Sequence, residues 1–303
     1  MTEERRPILQ GEYKLLSVLE KVEDSIVFKS QSVSYSERIF AIREFKLEGY
    51  DAPEKKAVIS AYFQPIAQEY MDFTSPHLTS LRDFFIENGY IYFVFDFLSG
   101  RRLSNYMRER RRPLPENAAL SIAYQIARAM EILHSCKPIK FFADVTISNV
   151  VLASNGFVAL TDYGLGKLLM NLPTSAPRMG TIGYAAPEQY GTDGIVSAAT
   201  DIYGLGVIMH QLVTGIDPAK ATGYTHITPI KDSNTAVSDD YMKIVRTATR
   251  TEAAKRYASI KDMADAILSI APKRGCSTKV IENKEGMLTG FLETLKAPFT
   301  VKP

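Results

Sequence analysis

Asp144-Val-Thr-Ile-Ser-Asn149, Thr161-Asp-Tyr-Gly164 and Gly180-Thr-Ile-Gly-Tyr-Ala-Ala-Pro-Glu188 follow one another between two helical runs, and their reading decides the fold. Upstream, Leu114 to His134 places Ala119, Ile122, Ala123, Ile126, Ala127, Met130 and Leu133 on one face of a long helix, with Pro115 and Glu116 in its first turn. Downstream, Asp201 to Val213 is apolar nearly all round and reads as a buried central helix. Tyr241 to Ala248 and Ile260 to Ile270 supply two more helices. The start of the chain is different in kind. Leu15–Leu19, Ile26–Phe28, Ile39–Ile42 and Tyr90–Phe95 are short runs of β-branched and aromatic residues, the composition of a small antiparallel sheet. Between the third and fourth, Pro53 to Asp72 reads as a helix that Pro65 kinks or interrupts, and Leu78 to Phe85 as a further strand after the Ser75-Pro76 break.

The 303 residues are enough for two lobes that each bury a core. With 36 basic against 34 acidic side chains, the formal charge of +2 gives no footprint for nucleic acid. Cys136 and Cys276 are too few for a disulfide framework and fit a reducing cytosol. No apolar run reaches the length of a membrane span, and Met-Thr-Glu-Glu-Arg-Arg-Pro is not a signal peptide, so a soluble, cytoplasmic chain is expected. His77, His134, His210 and His226 lack metal-ligand spacing, and Arg108-Glu-Arg-Arg-Arg112 reads as a solvated helix end. Beyond Pro272, a linker-like stretch leads to Met287, Leu288, Phe291, Leu292 and Leu295, which share one helical face of a mixed-charge segment that packs back on the domain.

In this order and spacing, the three opening stretches resemble the catalytic loop, DFG and APE segments of bacterial-type serine/threonine protein kinases. Thr200-Asp-Ile-Tyr-Gly-Leu-Gly-Val-Ile-Met-His-Gln-Leu-Val-Thr-Gly215 adds to the resemblance, which covers residues 13 to 270. It implies an α+β, bilobal protein-kinase-like fold with a small antiparallel β-sheet lobe (13–98) and a larger helical lobe (99–270). An N-terminal extension (1–12) and a C-terminal linker with a short helix (271–303) flank it. It also implies roles. Asp144 stands at the catalytic base, and Asn149 and Asp162 stand at the magnesium ligands. Val27, Ala41, Val151, Phe95 and Phe97 wall an adenine slot, and Asp201 accepts N–H bonds from the catalytic loop. Glu188 pairs with Arg256 as a structural clasp of the large lobe. Thr174, Ser175 and Thr181 fall in the activation-segment analogue, as candidate phosphosites.

The phosphate end departs from the family pattern. Glu20, Val22 and Ser25 stand where three glycines let the backbone approach phosphates. A carboxylate about 5 Å from a phosphate charge costs on the order of 3 kcal/mol at an effective dielectric of about 20. Arg43 replaces the lysine of Val-Ala-Ile-Lys, and its helix Glu partner is missing, because that position falls on or next to Ile66 and the nearest carboxylate is Glu69. Phe142 and Ala143 replace the His-Arg before Asp144, with Phe142 placed to stack under Tyr163, and Thr146 replaces the lysine two residues after it. Two readings of Asn149 and Asp162 stay open: they bind magnesium-ATP, or they hydrogen-bond the loops into shape.

The resemblance with its departures implies a pseudokinase, a scaffold or allosteric partner of signalling proteins that has lost efficient phosphoryl transfer. The alternative is an active, low-efficiency or unconventional serine/threonine kinase that uses ATP and magnesium, with Asp144 as base and Arg43 as phosphate anchor. A third class is a different transfer reaction on the same fold.

Overall fold

The computed structural model describes residues 8–22, 25–46, 53–71, 75, 77–135, 141–153, 157–161, 180–190, 194–220 and 227–274, with backbone only at 22, 53–56, 66, 69, 70 and 274. The chain divides into two compact units between Ser99 and Gly100.

The first unit is built on one antiparallel sheet. Its strands are β1 (Ile8–Leu9), β2 (Tyr13–Val22), β3 (Ser25–Ser32), β4 (Ile39–Lys46), β5 (Leu81–Glu87) and β6 (Tyr90–Asp96), ordered β1-β2-β3-β4-β6-β5. Asn88 and Gly89 both take positive φ, 50° and 79°, which is the backbone a two-residue hairpin of right-twisted strands requires between β5 and β6. Alternation sends Phe40, Ile42, Tyr92 and Val94 to one face, where they form a core with Leu9 and Tyr13. The opposite face carries Val27, Ala41, Arg43, Phe93 and Phe95, as the register shows. Helix α1 (Pro53–Met71) packs on β5, and Phe63 meets Phe84 and Phe93 at ring centroids of 5.8 and 5.5 Å.

Of the two outcomes expected at Pro65 the interruption is not seen, and the strand expected from Leu78 starts later. α1 runs through Pro65 without interruption: proline removes one backbone donor, while the buried Ile59, Phe63 and Ala67 hold both halves on the core. The strand read from Leu78 begins at Leu81. Leu78 instead turns back, with its N–H on the Ser75 carbonyl at 3.4 Å.

The second unit is mainly helical. Helices α2 (Leu103–Arg110), α3 (Glu116–His134), α4 (Ala198–Thr214), α5 (Ile230–Ser233), α6 (Asp239–Ala248) and α7 (Ile260–Ile270) accompany a small sheet of β7 (Gly100–Arg102), β8 (Val150–Ala153) and β9 (Val158–Leu160). α4 is the central element, packed by α3, α6 and α7, and it is buried along its length from Thr200 to Thr214. Ser197 caps its start through the Ala199 N–H, and Gly215, at φ 71°, ends it. Gly204 lets α4 approach the loop before β8, since a Cβ there would sit 2.6 Å from Val145 Cγ1. Among the described residues, no helix is long and apolar enough to cross a membrane.

Candidate functional site

In the second unit, the loop from Phe142 to Asn149 is fastened to α4 through one carboxylate. Asp201, whose side chain is fully buried, accepts the Phe142 N–H at 2.6 Å and the Ala143 N–H at 2.7 Å. His134, in the last turn of α3, reaches the same carboxylate with Nε2 at 2.8 Å. A second tie comes from Gln189, whose Nε2 donates to the Ala143 carbonyl at 2.8 Å while its Oε1 accepts the Ala186 N–H at 2.9 Å. Held on both sides, Ala143 adopts φ 70°, the left-handed region that costs a non-glycine residue about 1–2 kcal/mol. The expected consequence is asymmetric. Ala143→Gly should be near neutral, because relief of that strain offsets about 0.8 kcal/mol of lost methyl burial. Ala143→Val should destabilise by roughly 1–3 kcal/mol. Urea midpoints of the two variants check it, and equal midpoints would refute it.

The next residue, Asp144, accepts the Thr181 N–H on Oδ1 at 2.8 Å, so the base position is tied to the segment that ends in Ala-Pro-Glu. Thr146 and Asn149 then close on each other. Asn149 Oδ1 accepts the Thr146 N–H at 3.1 Å and the Thr146 hydroxyl at 2.9 Å, while Thr146 Oγ1 accepts the Ser148 N–H at 3.1 Å. This is a reciprocal cap on the turn Ile147–Asn149. An amide carbonyl oxygen has two lone pairs, and both are occupied by protein donors. The described arrangement therefore does not fit Asn149 as a magnesium ligand. Asp162, its expected companion, lies outside the described residues.

Further along the second unit, Glu188 and Arg256 form a bidentate pair with both N–O distances at 2.7 Å. The Arg256 side chain is fully buried and also donates to the carbonyls of Arg250, Ala199 and Thr251 at 2.8, 2.8 and 3.1 Å. Thr200 Oγ1 donates to Glu188 Oε1 at 2.9 Å, and the guanidinium lies 5.0 Å from the Tyr203 ring centroid. Burial alone would raise the Glu188 carboxyl, but the Arg256 bonds and charge, with the Thr200 hydroxyl, hold it below its ordinary value. Burial pushes the neighbouring Tyr203 hydroxyl up to about 12, against the Arg256 charge.

In the first unit, the sheet gathers those residues expected at a nucleotide site that belong to it. Ala41 sits opposite Lys29 on one side and Phe95 on the other, and Val27 sits opposite Arg43. Lys29 Nζ lies 4.8 Å from the ring centroid of Phe97, whose N–H bonds the Ile39 carbonyl at 3.2 Å. Val151 belongs to the second unit, buried on β8 between Arg102 and Ala159. Arg43 has a carboxylate partner, which comes from β2 rather than from α1: Nη2 meets Glu20 Oε2 at 3.0 Å and Nη1 meets Ser25 Oγ at 2.8 Å. The side chains of Ile66 and Glu69, and all of Tyr163, Thr174, Ser175, Cys136, Cys276, His226 and the apolar stripe from Met287 to Leu295, lie outside the described residues.

Sequence reasoning missed Gln189, the closure of Asn149 by Thr146, and Glu20 as the partner of Arg43. A partial signal existed for the second of these, because Thr146-Ile-Ser-Asn149 is a variant of the Ser/Thr-x-x-Glu/Gln capping pattern. None existed for the third, which depends on a strand irregularity.

Comparison with known proteins agrees with the architecture. The protein kinase domain family matches residues 25–285. The chain is 26% identical to a probable serine/threonine-protein kinase PknB of Lactococcus lactis, over 98% of this chain and 48% of that protein. It is 25% identical to a probable serine/threonine-protein kinase of Clostridium perfringens, over 97% of this chain and 43% of that one. It thus spans a little under half the length of both relatives. The crystal structure of the Mycobacterium tuberculosis PknI kinase domain superposes with a TM-score of 0.67 at 19% identity, covering 87% of this chain and 98% of that one. The sheet-plus-helices architecture is the protein-kinase fold, and with the family's domain spanning most of its length the chain belongs to the protein kinase domain family.

Proposed function

We propose that this kinase-fold domain has lost efficient phosphoryl transfer and works as a pseudokinase, a cytoplasmic scaffold or allosteric partner that binds signalling proteins. The observation that carries the reading is the state of Asn149. In the family, ATP arrives with magnesium, which neutralises the developing phosphate charge. Here the oxygen that would ligate the ion is spent on the Thr146 N–H and hydroxyl, and Thr146 itself stands where a lysine would steady the phosphoryl group. What the chain's own residues do is hold a shape: Asp201, Gln189 and Thr146 fix the loop, and Glu188 with Arg256 fixes the segment beyond it.

A second reading keeps phosphoryl transfer, as a low-efficiency serine/threonine kinase. It is favoured by the retained Asp144 and by relatives named as probable serine/threonine kinases.

Two measurements separate the readings. Magnesium-ATP is expected to give no saturating rise in melting temperature, whereas a ligand at one hundred times its Kd would add about 2.7 kcal/mol. Radiolabelled phosphate transfer, to the protein itself or to a generic acceptor, is expected from neither the parent nor Asp144→Asn. Transfer present in the parent and abolished by Asp144→Asn would overturn the pseudokinase reading.

A further inference from the structure

We propose that Glu20 is a tethered anion that occupies Arg43, so that phosphate-bearing molecules reach this cation only if the Glu20 carboxylate is displaced. The proposal deepens the pseudokinase reading, on which it rests, by naming what fills the phosphate position.

The geometry begins in the β2–β3 hairpin. Val18 faces Phe28, but the next registered partners are Glu20 and Val27, so Leu19 is an extra residue on β2. Without that bulge, Glu20 would pair with Ile26 and its side chain would leave by the other face of the sheet. With it, Glu20, Val27 and Arg43 form one row across three strands. Ser25 lies two residues before Val27 on β3 and therefore on the same face. Both Glu20 and Ser25 thus contact the guanidinium, at 3.0 and 2.8 Å.

Three positions that depart from the kinase pattern therefore belong to one constellation. Glu20 and Ser25 stand at the first and third glycines of the phosphate turn, and Arg43 stands at the lysine. The substitutions answer one another: the turn that gained side chains uses them to hold the cation. Both charges are withdrawn from water, with side chains 10% and 16% exposed, which is tolerable for an ion pair and costly for either member alone. The bond is also charge-assisted, and a carboxylate on the neighbouring hairpin acts at the high effective concentration of an intramolecular ligand. A free phosphate must outcompete it.

The test uses the full chain in EDTA with inorganic tripolyphosphate as probe, matched for ionic strength with sodium chloride, and reads Kd from melting-temperature titrations. In the parent, tripolyphosphate is expected to act no differently from chloride. In Glu20→Gln, which keeps the side chain's shape but not its charge, the Kd should tighten by about tenfold or more. That gain should disappear in Glu20→Gln with Arg43→Gln. Glu20→Gly serves as a second variant should the glutamine form fail to fold, and circular dichroism checks both. An unchanged tripolyphosphate response in a folded Glu20 variant would overturn the proposal, as would a gain that persists without Arg43 or a parent that already binds as tightly. Those results leave the pseudokinase reading standing. Phosphate transfer by the parent would instead sink that reading without touching the anion response.

Discussion

Arg256→Ala is expected to destabilise the second unit by about 3–5 kcal/mol, the range for removing one partner of a buried ion pair. The guanidinium is fully buried and serves five acceptor contacts: both oxygens of Glu188 and the carbonyls of Arg250, Ala199 and Thr251. Its removal leaves the Glu188 carboxylate with the Thr200 hydroxyl and its own backbone N–H, without a countercharge, and takes the cation off the Tyr203 ring. Arg256→Lys should recover only part of the loss, because one ammonium cannot reproduce a planar fork. The pair also has a pH signature. The Glu188 carboxyl is held below its ordinary value in the folded chain, so the unfolded chain binds more protons on acidification. The stabilisation is complete above the usual carboxylate range and is lost as pH falls through the depressed folded value. Urea midpoints should therefore fall less steeply with acid in Glu188→Gln than in the parent. Parallel acid profiles, or an Arg256→Ala midpoint equal to the parent's, would show that the pair carries no stability.

Asp201→Ala should be comparably severe, at about 3–5 kcal/mol, by a different route. The carboxylate holds two backbone N–H groups, of Phe142 and Ala143, and the His134 ring. A buried donor left without an acceptor costs about 1–3 kcal/mol, and here two are orphaned at once. Asp201→Asn should be little better, since its amide nitrogen turns a donor toward a donor. Hydrogen exchange distinguishes this from general loosening: protection at Phe142 and Ala143 should collapse before that of the α4 interior. If those two amides kept their parental protection in a folded variant, Asp201 would not be what holds the loop.

The helical unit was legible in the sequence because its signals are local and repeated. The apolar stripe from Ala119 to Leu133 and the all-apolar run after Asp201 admit one helical reading each, and caps such as Ser197 and Gly215 agree with them. The longer strand cores of the first unit were legible for the same reason, although their ends were not: β2 and β4 extend several residues into Val22 and Lys46, where the composition turns polar, and the short strands β7, β8 and β9 of the second unit were not read. The site was legible only as positions. Asp144, Asn149 and Arg43 could be placed by resemblance, yet what each touches depends on long-range register. Glu20 faces Arg43 only because of the bulge at Leu19, and no local pattern marks a bulge in Leu-Ser-Val-Leu-Glu. The two-residue strand β1 was missed because Ile8–Leu9 is too short to show a period.

The closure of Asn149 by Thr146 bears on timing. A loop whose shape depends on a metal or a nucleotide reports their supply, and folds or slackens as the cell's energy charge rises and falls. This loop draws both donors from a residue three positions away, so these contacts need nothing beyond the chain itself. On the scaffold reading proposed above, a surface that rests on such a loop would be offered continuously. On that reading, control over what it engages would come from the arrival, abundance or modification of the other molecule.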